Sequence, residues 1–353
     1  MKKLVLIISL LMTIILITSC KRNSPQFTTF NYYGYLNTIS YVTVETTKDI
    51  DLTDIKQDIE SILQKMEDLF GKDESLTNTI NNNAGKTDLN NQFYQTKVSD
   101  TYLDLLKLAK ELSDGETFDI TIGALSKVWN ISEQAEYCIY ANNCKLPTTE
   151  EILTARNTMG IDKIVIDNDS VYIQSEGTLL DFGAIAKGYA SDLIATYLQT
   201  KAINFFVINL GGNVYVHGQS LKYQEKNQEL FISLENPLDA SKTILDIYAT
   251  NTNVVTSAST HRYIIVDEIK YSHILNPKTG YPVDNDLLSV TILGNQGVMC
   301  DYLSTKCFVM GLVAGTNYLQ TTSYQGIFVT KNKEIYIVGN INIQLTDQEF
   351  QII

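Results

Sequence analysis

The sequence predicts an α+β protein in which helices pack on mixed and antiparallel sheets. Apolar residues recur at helical spacing in a few separate segments, whereas most of the C-terminal half alternates apolar and polar residues, as half-buried strands do. These strands and helices do not alternate strictly, as a chain of βαβ units would. The 353 residues are enough for two domains or one large one, and no internal repeat or long linker divides them.

The N-terminal half contains the clearest helical pattern. Apolar residues over 55–70 recur at helical spacing, which predicts an amphipathic helix. Residues 33–44 predict a strand and residues 71–86 a polar loop. A second helix is expected over 99–112, with Ser99 as its N-cap.

The remaining predicted elements are mainly strands. Residues 163–174 alternate around Asn168-Asp169, which predicts a hairpin. Helices are expected over 185–198 and 300–310. The other predicted strands are 178–182, 204–209, 230–234, 243–249, 263–267, 287–293, 327–330 and 334–338.

The composition excludes several classes of protein. Apolar residues make up 44% of the chain and charged residues 19%, so the chain is neither disordered, collagen-like nor a polytopic membrane protein. The formal net charge is −13, and no Lys/Arg-rich run follows the first few residues. Nucleic acid is therefore not an expected partner. An anionic ligand would need a metal cation or helix N-termini to balance its charge.

The N-terminus predicts export and a lipid anchor. Lys2 and Lys3 precede an apolar run over 4–17 that is too short to span a bilayer. The run closes in small residues before Cys20, which resembles the lipobox of bacterial lipoproteins. In such proteins the thiol is acylated and the peptide is cut ahead of it.

These features divide the chain into a leader, a tether and one domain. We assign residues 1–19 to a lipoprotein signal peptide, 20–29 to a polar tether and 30–353 to the folded domain. Acyl chains on Cys20 would hold the protein on the extracytoplasmic face of a membrane. An ordinary signal peptide cut nearby is the alternative, and it also predicts export.

Export also affects how the other cysteines are interpreted. Cys138 and Cys144 flank a short polar stretch, so a disulfide closing a surface loop is expected, with two free thiols as the alternative. Cys300 and Cys307 lie in a helical pattern about 10 Å apart along the axis, too far for a disulfide. They are expected to be buried thiols, and none of these spacings suggests zinc.

Two glycine-containing turns are candidates for ligand binding. A strand ending at Asp181 turns through Gly183 into a helix, whose free amides would bind an anion with help from Lys187. Asp181 would accept hydrogen bonds from a sugar or base, and a purely structural turn is the alternative. Gly211 and Gly212 follow an apolar strand and permit positive φ and a close approach of the backbone to a ligand.

Two polar segments are candidates for catalysis. Residues 273–282 contain two prolines and a glycine that fix a rigid loop, and His273 at its start is one of three histidines. A histidine that only braces the loop is the alternative. Asp301 and Thr305 share a helix face, and a carboxylate beside a hydroxyl suits Mg²⁺. The alternative role of Asp301 is to cap the helix.

Taken together and in order, these segments resemble the FAD:protein FMN transferases of the ApbE family. The motifs are D-F-G-A-I-A-K-G-Y at 181–189, G-G at 211–212, H-I-L-N-P-K-T-G-Y-P at 273–282 and D-Y-L-S-T at 301–305. Segments D-G-E-T-F-D-I-T at 114–121 and T-S-A-S at 256–259 add to the similarity, with Ala258 where the family usually has glycine. The similarity runs from about Tyr33 to the C-terminus.

The resemblance implies an ApbE-like (T-fold-like) architecture and a set of site residues. It implies that FAD contacts Leu36, Glu116, Thr117, Phe118, Asp181, Lys187, Gly211, Gly212 and Ile274. It implies that Mg²⁺ is held by the Ala184 carbonyl, Asp301 and Thr305, with Ser304 where many relatives have a second carboxylate. Asp301 and His273 are the expected catalytic residues, with His273 as the general base.

The resemblance implies that FMN is transferred from FAD to a threonine or serine hydroxyl of an exported flavoprotein, such as a subunit of a redox-driven ion pump. The reaction would need Mg²⁺, form a phosphoester and release AMP. Two alternatives stay open at this point. One is an FAD pyrophosphatase at the same site, and the other is a non-catalytic flavin-binding lipoprotein. The pairing of Asp301 with Thr305 argues against the second, because storage of FAD needs no metal at the pyrophosphate.

Overall fold

A computed structural model describes residues 24–47, 51–141, 143–201, 203–226 and 229–353. The expected signal peptide and Cys20 lie outside these ranges, and so does the side chain of Cys138. None of the helices within the described ranges is long and apolar enough to cross a membrane.

A nine-stranded sheet forms the centre of the described part of the chain. Its strands, in spatial order, are β1 (Gln26–Tyr35), β2 (Thr38–Thr46), β6 (Phe206–Leu210), β7 (Asn213–His217), β10 (Thr252–Ala258), β13 (Leu287–Gly294), β14 (Gln325–Thr330), β15 (Glu334–Val338) and β17 (Gln351–Ile352). Neighbours run antiparallel except β15 and β17, which run parallel. The expected mixed, mainly antiparallel sheet is therefore present.

Smaller sheets flank this main sheet in the described ranges. One has the order β16 (Ile343–Leu345), β9 (Asp239–Ile247) and β8 (Ile232–Asn236). Another has the order β3 (Thr96–Lys97), β5 (Ser170–Ile173) and β4 (Ile164–Asp167), and a two-stranded sheet pairs β11 (Tyr263–Val266) with β12 (Ile269–Ser272).

The described ranges contain ten α-helices. They are α1 (Thr53–Phe70), α2 (Leu76–Asn82), α3 (Asp100–Leu112), α4 (Gly123–Trp129), α5 (Ile131–Ala141), α6 (Thr149–Thr158), α7 (Ala186–Thr200), α8 (Leu221–Glu225), α9 (Gly297–Met310) and α10 (Leu312–Gln320).

Both faces of the main sheet are covered near β10. Helices α1, α7 and α9 pack with the sheet into one hydrophobic cluster, in which Ile59, Leu63 and Val255 are buried. A second cluster, between the main sheet and the β16-β9-β8 sheet, includes Ile247 and Val254. Val254 and Val255 fall in different clusters because successive strand residues point to opposite faces.

Several predicted elements are confirmed, with shifted ends. Helices α1, α3 and α7 overlap the predicted helices. The predicted hairpin turns at Asn168, whose φ is 52°. Ser99 occupies the N-cap position of α3, although its side chain makes no capping hydrogen bond.

The cysteine predictions are partly tested. Cys300 and Cys307 are buried free thiols, as expected. Cys144 is disulfide-bonded. The side chain of Cys138 is not among those described, so its role as the partner stays a prediction.

The N-terminal region differs from the sequence prediction in three places. The single strand over 33–44 is a hairpin, because Leu36 and Asn37 adopt positive φ of 49° and 53° and join β1 to β2. Strand β1 begins at Gln26, within the segment assigned to the tether. The expected loop over 71–86 contains α2, which Ser75 caps by accepting a hydrogen bond from the Asn78 amide.

Other differences lie nearer the candidate site. Residues 178–182, predicted as a strand, form no ladder, and Leu179 makes only an isolated bridge with Ile122. Helix α9 begins at Gly297, so Asp301 lies within it and does not cap it. Helices α4, α5, α6 and α10 and strand β10 were not predicted. The T-S-A-S segment at 256–259 includes the end of β10.

Candidate active site

The segment before α7 holds Asp181 and Lys187 in place. The Asp181 carboxylate accepts hydrogen bonds from Ser126 Oγ and from the Gly183 amide, each at 2.8 Å. The Lys187 ammonium lies 3.7 Å from Asp301 Oδ1, on the neighbouring helix α9, and donates to the Gly183 carbonyl at 3.3 Å. The predicted turn therefore brings a cation beside a buried carboxylate.

Most amides at the start of α7 already have an acceptor within the protein, so the predicted group of free amides is only partly present. Those of Gly183, Ile185, Ala186 and Gly188 all donate to acceptors within the protein. The amides of Ala184 and Lys187 make no hydrogen bond with a described residue, so this turn offers an anion these two amides and the Lys187 ammonium.

Asp301 is almost fully buried at the contact between α7 and α9, with 4% of its surface exposed. Its Oδ2 accepts a hydrogen bond of 2.9 Å from the Gly188 amide. In a regular helix that amide would donate to the Ala184 carbonyl, so this carbonyl keeps its capacity to bind another group. Glycine is needed at 188 because a Cβ would overlap the Gly297 carbonyl of α9.

Thr305 and Ser304 lie one turn after Asp301 but face different surroundings. Thr305 lines the cavity, and its Oγ1 lies 3.1 Å from Ser257 Oγ on β10. Ser304 Oγ is fully buried, donates to the Asp301 carbonyl at 2.9 Å and lies 2.8 Å from Ser257 Oγ. Ser304 does not line the cavity, so its position does not favour the metal-ligand role assigned to it.

The oxygens around Asp301 fit a magnesium ion. Asp301, Thr305 and Ala184 all line the cavity, and a carboxylate, a hydroxyl and a backbone carbonyl are the hard oxygen ligands that Mg²⁺ prefers. The described residues contain no cluster of three or more His, Cys, Asp or Glu side chains arranged to hold a metal. An ion here would thus complete its shell with water and ligand phosphates, as Mg²⁺ usually does.

His273 is held as a neutral imidazole at the edge of the cavity. Burial and the nearby Arg262 charge lower the pKa of His273 from 6.5 to about 4. Its Nδ1 lies 3.1 Å from the Arg262 carbonyl, which can only accept, so Nδ1 carries the proton. Nε2 is then left as the proton acceptor, which is the form that a general base requires.

The loop after His273 is held by a hydrogen bond from Trp129, a residue to which the sequence analysis assigned no role. Trp129, at the end of α4, is buried and donates from Nε1 to the Gly280 carbonyl at 2.8 Å. Asn276 Oδ1 accepts hydrogen bonds from the amides of Lys278 and Thr279. These contacts make the predicted loop rigid.

An ion pair between buried Lys306 and the partly exposed Asp114 shapes the loop at 114–118. The Asp114 carboxylate accepts hydrogen bonds from the amides of Glu116, Thr117 and Phe118 and from the Lys306 ammonium. Burial would raise the pKa of Asp114, but the bonds from Lys306 and Thr117 outweigh it and hold that pKa well below its usual range. Lys306, on α9, also donates to Thr117 Oγ1 at 2.9 Å. Neither Asp114 nor Lys306 was assigned a role from sequence.

The cavity wall is completed by two turns with unusual backbones. Leu36 lines the cavity, and its amide donates to the Glu67 carboxylate, which supports its positive φ. Gly211 and Gly212 have φ of 59° and 92°, as predicted. Gly211 packs so closely on Thr38 that a Cβ would overlap its side chain.

One cavity of about 1350 Å³ collects most of the predicted residues. Its size exceeds the roughly 300–1,000 Å³ typical of sites for drug-sized ligands. It is lined by Leu36, Thr117, Phe118, Asp181, Ala184, Lys187, Gly211, Gly212, His273, Ile274, Asp301 and Thr305. Glu116 lies outside it, where its exposed carboxylate pairs with Lys278 at 3.2 Å.

Comparisons with known proteins identify the same family that the sequence motifs resemble. Residues 35–328 match the ApbE family model. A curated FAD:protein FMN transferase of Klebsiella pneumoniae is 31% identical over 302 residues, which cover 83% of this chain and 88% of that protein. One of Vibrio cholerae is 26% identical over 224 residues, covering 63% and 64%.

Solved structures share the fold. The flavin transferase ApbE from Vibrio cholerae matches with a TM-score of 0.74 at 22% identity, covering 89% of this chain and 98% of that one. The ApbE protein from Thermotoga maritima matches with a TM-score of 0.72 at 25% identity, covering 91% and 97%. The expected α+β, ApbE-like architecture is confirmed. This chain belongs to the ApbE family.

Proposed function

We propose that the protein transfers FMN from FAD to a serine or threonine hydroxyl of an exported flavoprotein and releases AMP. The curated relatives named above are FAD:protein FMN transferases, which supports this activity. The observation that carries the proposal is the meeting of Asp301, Lys187 and Thr305 with a neutral His273 around one large cavity.

The proposed reaction exchanges the phosphoanhydride bond of FAD for a phosphoester bond to the acceptor. The acceptor oxygen bonds to the phosphorus of the FMN half, the pyrophosphate P–O bond breaks, and the bridging oxygen leaves with AMP. His273 Nε2 takes the hydroxyl proton, because the imidazole is already neutral at pH 7. Lys187 balances phosphate charge directly, since its ammonium lies at the cavity wall beside Asp301.

The oxygen ligands at Asp301, Thr305 and the Ala184 carbonyl fit Mg²⁺. An ion held there would neutralise the negative charge that builds up on the phosphates during transfer. The 114–118 loop, Leu36 and Ile274 would hold the flavin half, because Thr117, Phe118 and these two side chains line the same cavity.

One assay separates this function from its two alternatives. The protein is incubated with FAD, Mg²⁺ and a candidate acceptor, and the acceptor is examined for covalent flavin fluorescence in a denaturing gel while AMP is measured. Fluorescent acceptor with equimolar AMP supports transfer. AMP and FMN without labelled acceptor would indicate a pyrophosphatase, and bound, intact FAD would indicate a binding protein.

We also propose that the protein is exported and anchored by acyl chains on Cys20, on the extracytoplasmic face of a membrane. The proposal rests on the charged and apolar leader and the lipobox-like residues before Cys20. An anchor there would place the site in the compartment of its exported acceptors.

A further inference from the structure

One face of the β1–β2 hairpin is exposed and carries large apolar side chains. Alternate residues of the two strands point inward, where Phe30 and Val42 are buried in the same cluster as α1. The residues between them point the other way, and we call this surface the hairpin face. It includes Tyr33, Ile39 and Tyr41, which are 65%, 49% and 42% exposed. Tyr33 pairs with Ile39 across the ladder, and Tyr41 follows two positions later, so the three side chains adjoin.

The strands that form the hairpin face expose no charged side chain. None of the ten residues of β1 is charged. Glu45 is the charged residue of β2, and it is buried, where it accepts hydrogen bonds from Ser220 Oγ and from two amides at the start of α8. Because the whole chain has a net charge of −13, a surface without carboxylates is one that can approach an anionic partner with little repulsion.

Helix α8 extends the hairpin face at the end where β1 begins. Phe27 lies on the same face as Tyr33, because the two are an even number of positions apart in the strand. The centroid of the Phe27 ring is 5.8 Å from that of Tyr223 on α8, and the Lys222 ammonium lies 4.7 Å from it. Leu221, the first residue of α8, is 45% exposed. This end of the face therefore combines an exposed leucine, two aromatic rings and a cation.

The hairpin face also begins close in sequence to the expected anchor. Gln26, the first residue of β1, follows Cys20 by six positions, a span of at most about 20 Å when fully extended. An acylated Cys20 therefore keeps this strand near the lipid surface. Tyrosine and lysine side chains suit the boundary between lipid and water, because each has an apolar body and a polar tip.

We propose that the hairpin face lies on the lipid surface, with its apolar side chains in the headgroup region. This inference rests on the proposed anchor at Cys20. Acyl chains alone leave the domain free to turn on its tether, whereas contact through the hairpin face fixes one orientation. Leu36 and Asn37, at the turn of the same hairpin, line the cavity, so in this orientation the cavity opens close to the lipid surface.

Two labelling sites on opposite sides of the hairpin test the proposal. Thr29 is exposed on the hairpin face, and Ser61 is exposed on α1, which packs on the inward side. Thr29→Cys and Ser61→Cys are made in the full lipidated chain and labelled with the same fluorophore, and the labelled parent gives the background from the native cysteines. Each protein is reconstituted into vesicles of phosphatidylethanolamine and phosphatidylglycerol that include a lipid with a quencher on its headgroup.

The label at position 29 should be quenched at least about threefold more strongly than the label at position 61, because a surface-bound face lies within about 5–10 Å of the headgroup boundary. Ile39→Glu, added to the Thr29→Cys chain, should lower this quenching to the level at position 61, because the anionic lipid repels the new carboxylate. Val313→Glu is the matched control, since Val313 is 73% exposed on α10, which packs into the inward cluster. It should leave the quenching unchanged, and circular dichroism should show both variants folded.

Other outcomes would overturn the proposal in distinguishable ways. Equal quenching at both positions, in protein that floats with the vesicles, removes the hairpin face from lipid contact while the anchor stands. Parent-like quenching in Ile39→Glu removes the apolar side chains from that contact. An unquenched label at position 29, in a chain that is dimeric until Ile39→Glu is introduced, assigns the face to a second copy. If mass spectrometry finds no acyl chain on Cys20, the anchor fails and this inference fails with it.

Discussion

The ion pair between Lys306 and Asp114 should control FAD binding from outside the reacting atoms. Lys306→Met keeps a side chain of similar length but removes the ammonium that bonds the Asp114 carboxylate and Thr117 Oγ1. Thr117 and Phe118 line the cavity, so loosening their loop should weaken FAD binding. Lys306 thus acts as a positioning residue for the flavin half.

The free energy lost on removing Lys306 depends on how deeply each partner of the ion pair is buried. Removing one partner of a fully buried pair costs about 3–5 kcal/mol. Here the Asp114 side chain is 36% exposed and keeps three backbone donors, so we expect roughly 1–2 kcal/mol, between the buried and surface cases. If about 1.4 kcal/mol of this lost free energy weakens the complex with FAD and does not affect the free protein, FAD affinity drops about tenfold.

The assay combines FAD titration with urea unfolding of Lys306→Met, Asp114→Asn and the double variant. A direct interaction should give a coupling of at least about 0.5 kcal/mol in the cycle. The pKa of Asp114 is lowered in the folded state, so the parent's advantage should be complete above pH ~4 and shrink as pH falls further. Parent-like FAD affinity in Lys306→Met, with additive effects in the double variant, would refute the reasoning.

Four other predictions concern the candidate site and the leader. Asp301→Ala should abolish FMN transfer and AMP release together while the circular dichroism spectrum stays native; full activity in Mg²⁺ would reject its role. His273→Ala should slow transfer about 10²–10⁴-fold with FAD affinity nearly intact, and the parent rate should stay level from about pH 8 to 6 because the pKa of His273 is about 4. Cys20→Ser should release the exported protein from membranes, and continued partition into detergent would exclude Cys20 as the anchor. Mass spectrometry of unreduced digests should join Cys138 to Cys144; free thiols at both positions would disprove the bridge.

Local sequence patterns anticipated much of the fold where the signal was strong. The spacing of apolar residues in α1 and the alternation around Asn168 were sufficient for those elements. The turn at Leu36 and Asn37 was missed, because neither residue is the glycine that positive φ usually selects. The cap at Ser75 was available in the sequence but lay in a segment too polar to suggest a helix.

The site was harder to predict wherever its parts meet across the chain. Asp114 and Lys306 are 192 positions apart, and no periodicity connects them. The same holds for Ser126, which donates to Asp181 from 55 positions away. Ser304 is the reverse case: its place in the motif suggests a ligand, yet it does not line the cavity and its Oγ lies 2.8 Å from Ser257 Oγ, so that role stays a prediction.

The glycine contact between α7 and α9 has a consequence for how this site can change. At Gly188 and Gly297 the two helices touch backbone to backbone, with no side chain between them whose rotamer could adjust the gap. The separation between the helix backbones that carry Lys187 and Asp301 is therefore set by the main chain. Substitutions of other residues that line the cavity can therefore change the preference for an acceptor without moving the backbones that carry Lys187 and Asp301. The residues that act on the phosphates and the residues that select the acceptor can therefore change independently in evolution.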